Sequence, residues 1–97
     1  MKEGVAEKKV PGGKFVRVKA YLTNECKVTN IVIEGDFFAY PPDAVDELGH
    51  RVRGAFMKDA LSVSRDVLKG ISFGGVDSET LLTLIEAALQ KACGDGE

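Results

Sequence analysis

The sequence predicts an α+β fold: a three-stranded antiparallel sheet followed by about three helices packed on one face. Three observations carry this. Residues Phe15 to Leu22 repeat with period two, so that Val16, Val18, Ala20 and Leu22 share one face and Phe15, Arg17, Lys19 and Tyr21 the other. Beyond Pro42 the apolar residues instead recur at three and four, the spacing of amphipathic helices. All strand-like stretches precede all helix-like ones, the order of an α+β layer with one face of the sheet covered. The 97 residues make a single domain, 1–97, because a second core would not fit.

The elements follow in order. Val5 to Val10 is a short, charged edge strand. Pro11-Gly12-Gly13 then forms a tight turn, with proline presetting its own φ and Gly12 free to take a positive one. Phe15 to Leu22 is the central strand. Asn24-Glu25 is the tip of the next hairpin, although a second tip residue other than glycine leaves a longer loop open. A two-residue tip pairs Val16 with Ile33 and Val18 with Ile31 on one face, and Phe15 with Glu34 and Arg17 with Val32 on the other.

The third strand runs from Lys27 to Asp36. It passes through Gly35-Asp36-Phe37-Phe38 to a double proline, Pro41-Pro42. Pro42 suits a first helical turn and Asp43 its positive dipole end. Val45, Leu48, Val52 and Phe56 are the stripe of that helix, which Gly54 ends or bends. Asp59 or Ser62 caps a second helix to Lys69, and Ile71 to Val76 is a loop. Asp77 or Ser78 caps the last helix, whose buried stripe is Leu81, Leu84, Ile85, Ala88, Leu89 and Ala92. Gly94 stops it.

Composition excludes several classes of function. The net charge is −2, with both signs interspersed, so no dominant nucleic-acid footprint is expected. No apolar run approaches the ~18 residues of a membrane span, and Met1-Lys2-Glu3-Gly4 does not begin a secretory signal. Cys26 and Cys93 read as reduced thiols of a cytoplasmic protein, and His50, among charged residues, as solvated. Pro11-Gly12-Gly13-Lys14 lacks the spacing of a phosphate loop. Glu34 and Asp36 lie two apart on one strand face, solvated or paired with Arg17 and Lys19. No catalytic residue and no metal-ligand spacing is expected. The chain reads as one that lends a surface to another macromolecule.

Lys9-Val10-Pro11-Gly12-Gly13-Lys14-Phe15-Val16-Arg17-Val18, followed by Ile31-Val32-Ile33-Glu34-Gly35-Asp36-Phe37-Phe38, resembles the small accessory domain of lipoate–protein ligases. In many bacterial ligases that domain is fused behind the catalytic one; in some archaea it is a separate subunit, whose length and start this chain shares. The likeness covers nearly the whole chain, and the region Asn24-Glu25-Cys26 departs from it. It implies a non-catalytic accessory subunit in a heterodimer with a catalytic chain. That partner is expected to hold lipoate, ATP and Mg, to form lipoyl-AMP and to lipoylate acceptor domains. This chain is expected to bind no cofactor, nucleic acid or membrane.

The residues expected to face the partner are Lys14, Phe15, Arg17 and Lys19 on the sheet and Gly35, Asp36, Phe37 and Phe38 at the junction. Each has a plainer reading. Lys14 is a solvated turn lysine unless it reaches the partner's active site. Gly35 is a bulge or strand end unless it marks a close backbone approach. Asp36 caps the turn unless it touches substrate. Phe37 and Phe38 are either both in the core, or one is exposed as an anchor. Two other functions remain open: an iron–sulfur assembly scaffold, which shares the small α+β arrangement, and a binding module of a different ligase.

Overall fold

The computed structural model describes residues 2–10, 12 and 14–94, apart from the side chains of Val10 and Lys14. The expected Pro11 corner and Gly13 lie outside the described residues. Three long strands, β1 (Lys2–Val10), β2 (Lys14–Leu22) and β3 (Val28–Gly35), form an antiparallel sheet in chain order. Two short strands, β4 (Phe38–Tyr40) and β5 (Ser72–Gly74), form a second sheet. The helices are α1 (Ala44–Val52), α2 (Met57–Lys69) and α3 (Ser78–Cys93).

The alternation of β2 governs the packing. Val16, Val18, Ala20 and Leu22 are wholly buried. Above them lies the stripe expected for the last helix, with Leu81, Leu84, Ile85, Ala88, Leu89 and Ala92 all in the core. Helix α3 crosses β1 and β2, α1 lies beside β3, and α2 packs along α3 and α1. The closest approach is at Gly4 of β1. A Cβ there would overlap the Ala88 carbonyl and press on Ala92, so the strand lies directly on the helix backbone. Asp77 is the cap of α3: its carboxylate accepts from the Thr80 amide at 2.7 Å. Hydrogen bonds from the Thr80 backbone, then from its side chain, hold the Asp77 carboxyl below the usual aspartate range.

Several expectations need correction. β1 begins at Lys2, not Val5. The β2–β3 register is moved by two: Val16 faces Gly35, Val18 faces Ile33 and Arg17 faces Glu34. The reason is the loop, which is longer than a two-residue tip. The Thr23 amide donates to the Lys27 carbonyl at 2.8 Å, the Cys26 amide to the Thr23 carbonyl at 2.9 Å, and Cys26 has φ 66°. A shift of two preserves every side chain's face, so the core is unaffected.

Phe56 does not belong to the first helical stripe. It precedes α2, forms an isolated bridge with Lys27 and is 49% exposed. Helix α2 therefore starts at Met57, ahead of both expected caps, Asp59 and Ser62, and has no side-chain cap. Its entry is held instead by the neighbouring strand, with the Val28 amide donating to the Ala55 carbonyl at 2.8 Å. Helix α1 starts at Ala44 with Asp43 at its cap position, just beyond Pro42.

The cysteines are not free thiols. Cys26 and Cys93 form a disulfide between the β2–β3 loop and the end of α3, with Cα atoms 5.3 Å apart. A separation of 67 residues in the chain hid this proximity. No helix among the described residues is long and apolar enough to cross a membrane.

Candidate functional site

The two stretches that carry the family resemblance meet at one end of the sheet. Gly35 pairs with Val16, and the Asp36 amide donates to the Phe15 carbonyl at 2.9 Å. Gly35 has φ 148°, and a Cβ there would overlap the Phe15 carbonyl oxygen. Gly35 therefore ends the strand and lets the Phe15 backbone approach closely. The Asp36 side chain makes no hydrogen bond among the described residues. Lys14 begins β2 at this same end, and its side chain lies outside the described residues.

A third segment joins the corner, one that the sequence presents as a loop. β5 pairs with β4 in the register Phe38 to Gly74, Ala39 to Phe73 and Tyr40 to Ser72. A Cβ on Gly75 would stand 3.1 Å from the Asp36 carbonyl oxygen, so the two backbones nearly touch. Together Gly35, Asp36, Phe37, Phe38, Gly74 and Gly75 line a groove of about 610 Å³. The Gly-Asp-Phe-Phe junction thus leads through a short strand before the helix, rather than directly into it.

That strand separates the two aromatics. Phe37 is partly buried, with its ring 6.2 Å from that of Phe73. Phe38 is 79% exposed, and Tyr40, two residues on, is 73% exposed. Period two within β4 turns Phe38 and Tyr40 the same way and Ala39 inward. Tyr40 and the Gly74-Gly75 segment were missed in the sequence because strands of 3 residues are too short to show a period. The alternation of Phe38 and Tyr40 opposite Ser72 and Gly74 was the available signal.

The remaining sheet residues lie apart from this groove, on the face of the sheet that the helices leave open. Arg17 stands 5.0 Å above the Phe15 ring and pairs with Glu7 at 3.2 Å and Glu34 at 3.4 Å. Lys19 reaches Glu34 at 3.6 Å. These exposed pairs contribute at most about 1 kcal/mol each, but they balance the charge. The centre of the face offers alternating signs rather than a basic field. His50 is exposed beside Asp46 and Arg53 in a smaller groove, of about 340 Å³, between α1 and β3. Among the described residues no group of three or more His, Cys, Asp and Glu could hold a metal ion.

The fold and this corner define a small α+β module whose distinctive surface is an aromatic strand beside a glycine-lined groove. No family model and no curated protein matches the chain. Among solved structures it is similar to a chain from an archaeal lipoylation system, a bi-partite lipoate protein ligase and its E2 lipoyl domain from Thermoplasma acidophilum. The likeness has a TM-score of 0.65 and 26% identity over 88% of this chain and 92% of that one. The two chains are therefore nearly equal in length.

Proposed function

We propose that this chain is the non-catalytic accessory subunit of a two-component lipoate–protein ligase, required with a catalytic chain to activate lipoate to lipoyl-AMP. The observation that carries the reading is the near end-to-end likeness to a chain of similar size from a bi-partite ligase system. It is supported by the meeting of the start of β2 with the Gly-Asp-Phe-Phe stretch at one corner, where the Asp36 amide donates to the Phe15 carbonyl.

In this reading lipoate, ATP and Mg bind the catalytic partner, and acceptor lipoyl domains meet this chain only through it. Lys14, Phe15, Arg17 and Lys19, with Gly35, Asp36, Phe37 and Phe38, face or shape the contact. A small subunit beside an acyl-adenylate site can order the partner's loops and keep water from a hydrolysable mixed anhydride. The work is placed in the cytoplasm. The Cys26–Cys93 link then fits a cell in which intracellular disulfides persist, as in hyperthermophiles.

The iron–sulfur scaffold reading loses its chemistry, because both thiols are used by the disulfide. The test is a lipoate-adenylation assay of a catalytic lipoate–protein ligase chain from the same cell, with and without this protein. Activation only when both are present is the expected result. Full activation by the catalytic chain alone refutes the proposal.

A further inference from the structure

The pairing of β4 with β5 leaves two large rings without cover. Phe38 lies across from Gly74 and Tyr40 across from Ser72. Neither neighbour has a side chain able to shield an aromatic, and the rings stay 79% and 73% exposed. The inward side of the same ribbon already supplies its packing, through Phe37 and Phe73. The fold itself gives no reason for two adjacent outward aromatics, which are favoured where a partner buries them.

The surroundings specify the partner's chemistry. From Val28 to Gly49 the chain has five carboxylates, Glu34, Asp36, Asp43, Asp46 and Glu47, and no Lys or Arg. Glu34 is paired with Arg17 and Lys19. The other four are exposed and make no salt bridge among the described residues. Asp36 lines the groove with Phe38. Asp43, Asp46 and Glu47 stand at the start of α1, which packs against β4. Among the described residues, the aromatic strip is therefore bordered by carboxylates that no salt bridge engages. A second copy of this chain would bring the same carboxylates together on a two-fold contact, and like charges there are repulsive.

We propose that Phe38 and Tyr40 are paired anchors for the catalytic ligase chain, whose receiving surface is apolar and rimmed by Lys or Arg. This inference rests on the ligase reading above and adds to it Tyr40, the acidic rim and the chemistry of the partner's face. Phe37 serves the inner side of the ribbon instead.

The test measures the dissociation constant of this chain with the catalytic chain by titration calorimetry. Phe38→Ser and Tyr40→Ser are each expected to weaken binding by about tenfold or more, with the melting temperature unchanged because both rings are exposed. Phe56→Ser, at an exposed aromatic away from the strip, leaves binding as it is. Raising the salt from about 50 mM to about 500 mM weakens the wild-type complex, and an Asp43→Asn, Asp46→Asn double variant flattens that dependence. If the wild-type chain binds and supports adenylation while both Ser variants bind equally well, the anchor claim falls and the ligase reading stands. A salt-independent complex overturns the basic rim. If the wild-type chain neither binds nor supports adenylation, both proposals fall. A wild-type dimer in sedimentation that Phe38→Ser dissociates assigns the strip to self-association and overturns the anchor claim.

Discussion

The backbone of Asp36 is joined to that of Phe15 by a 2.9 Å hydrogen bond from amide to carbonyl. This single contact closes the corner on which the candidate site is built. It forms because Gly35 lets the third strand approach the second at a φ of 148° that L side chains rarely adopt. The contact depends on that residue, which also lines the groove.

Gly35→Ala should therefore be costly although residue 35 is exposed. The added Cβ meets the Phe15 carbonyl, and the backbone is in a region that favours glycine. A loss of roughly 1–3 kcal/mol is expected, read from urea unfolding. An unchanged midpoint would mean that the corner relaxes without strain.

The disulfide is expected to supply much of the stability of so small a core. Linking residues 67 apart removes chain entropy from the unfolded state worth about 4 kcal/mol in the loop-closure account. Cys26→Ser should lower the melting temperature as far as reduction of the wild-type protein does. A reductant should then have no further effect on the variant.

Asp77 gives the protein a pH dependence of defined sign. Its folded pKa is held below the usual value by the Thr80 hydrogen bonds. The charged cap therefore contributes stability above the unfolded pKa, and this is lost as pH falls through the lower folded one. Asp77→Asn keeps an accepting oxygen and removes the charge. The stability gap between wild type and this variant should be full at neutral pH and should shrink below about pH 4. A gap that does not vary across that window refutes the assignment.

Among the described residues Ser64 is the one buried polar side chain, and its hydroxyl has no partner there. Ser64→Ala removes the unmet donor without opening a large cavity. The variant should be at least as stable as wild type, by up to about 1 kcal/mol, in the same urea measurement. A clear loss of stability would reveal a hydrogen bond that α2 and α3 make there.

What the sequence alone determined is whatever a repeating pattern can specify. Period two in Phe15 to Leu22 selected the buried face of β2, and the spacing of Leu81 to Ala92 selected that of α3, because both follow from local geometry and the removal of apolar side chains from water. The candidate residues at the glycine-rich turn and at Gly-Asp-Phe-Phe were visible as motifs. Their meeting was not, because the register that joins Phe15 to Asp36 depends on a loop held by hydrogen bonds between Thr23, Cys26 and Lys27. The same limit applies to the Cys26–Cys93 bond, to the pairing of β4 with β5, and to the choice of which phenylalanine turns outward. Each is decided by contacts between segments distant in sequence, whose cost in chain entropy only the assembled core can offset.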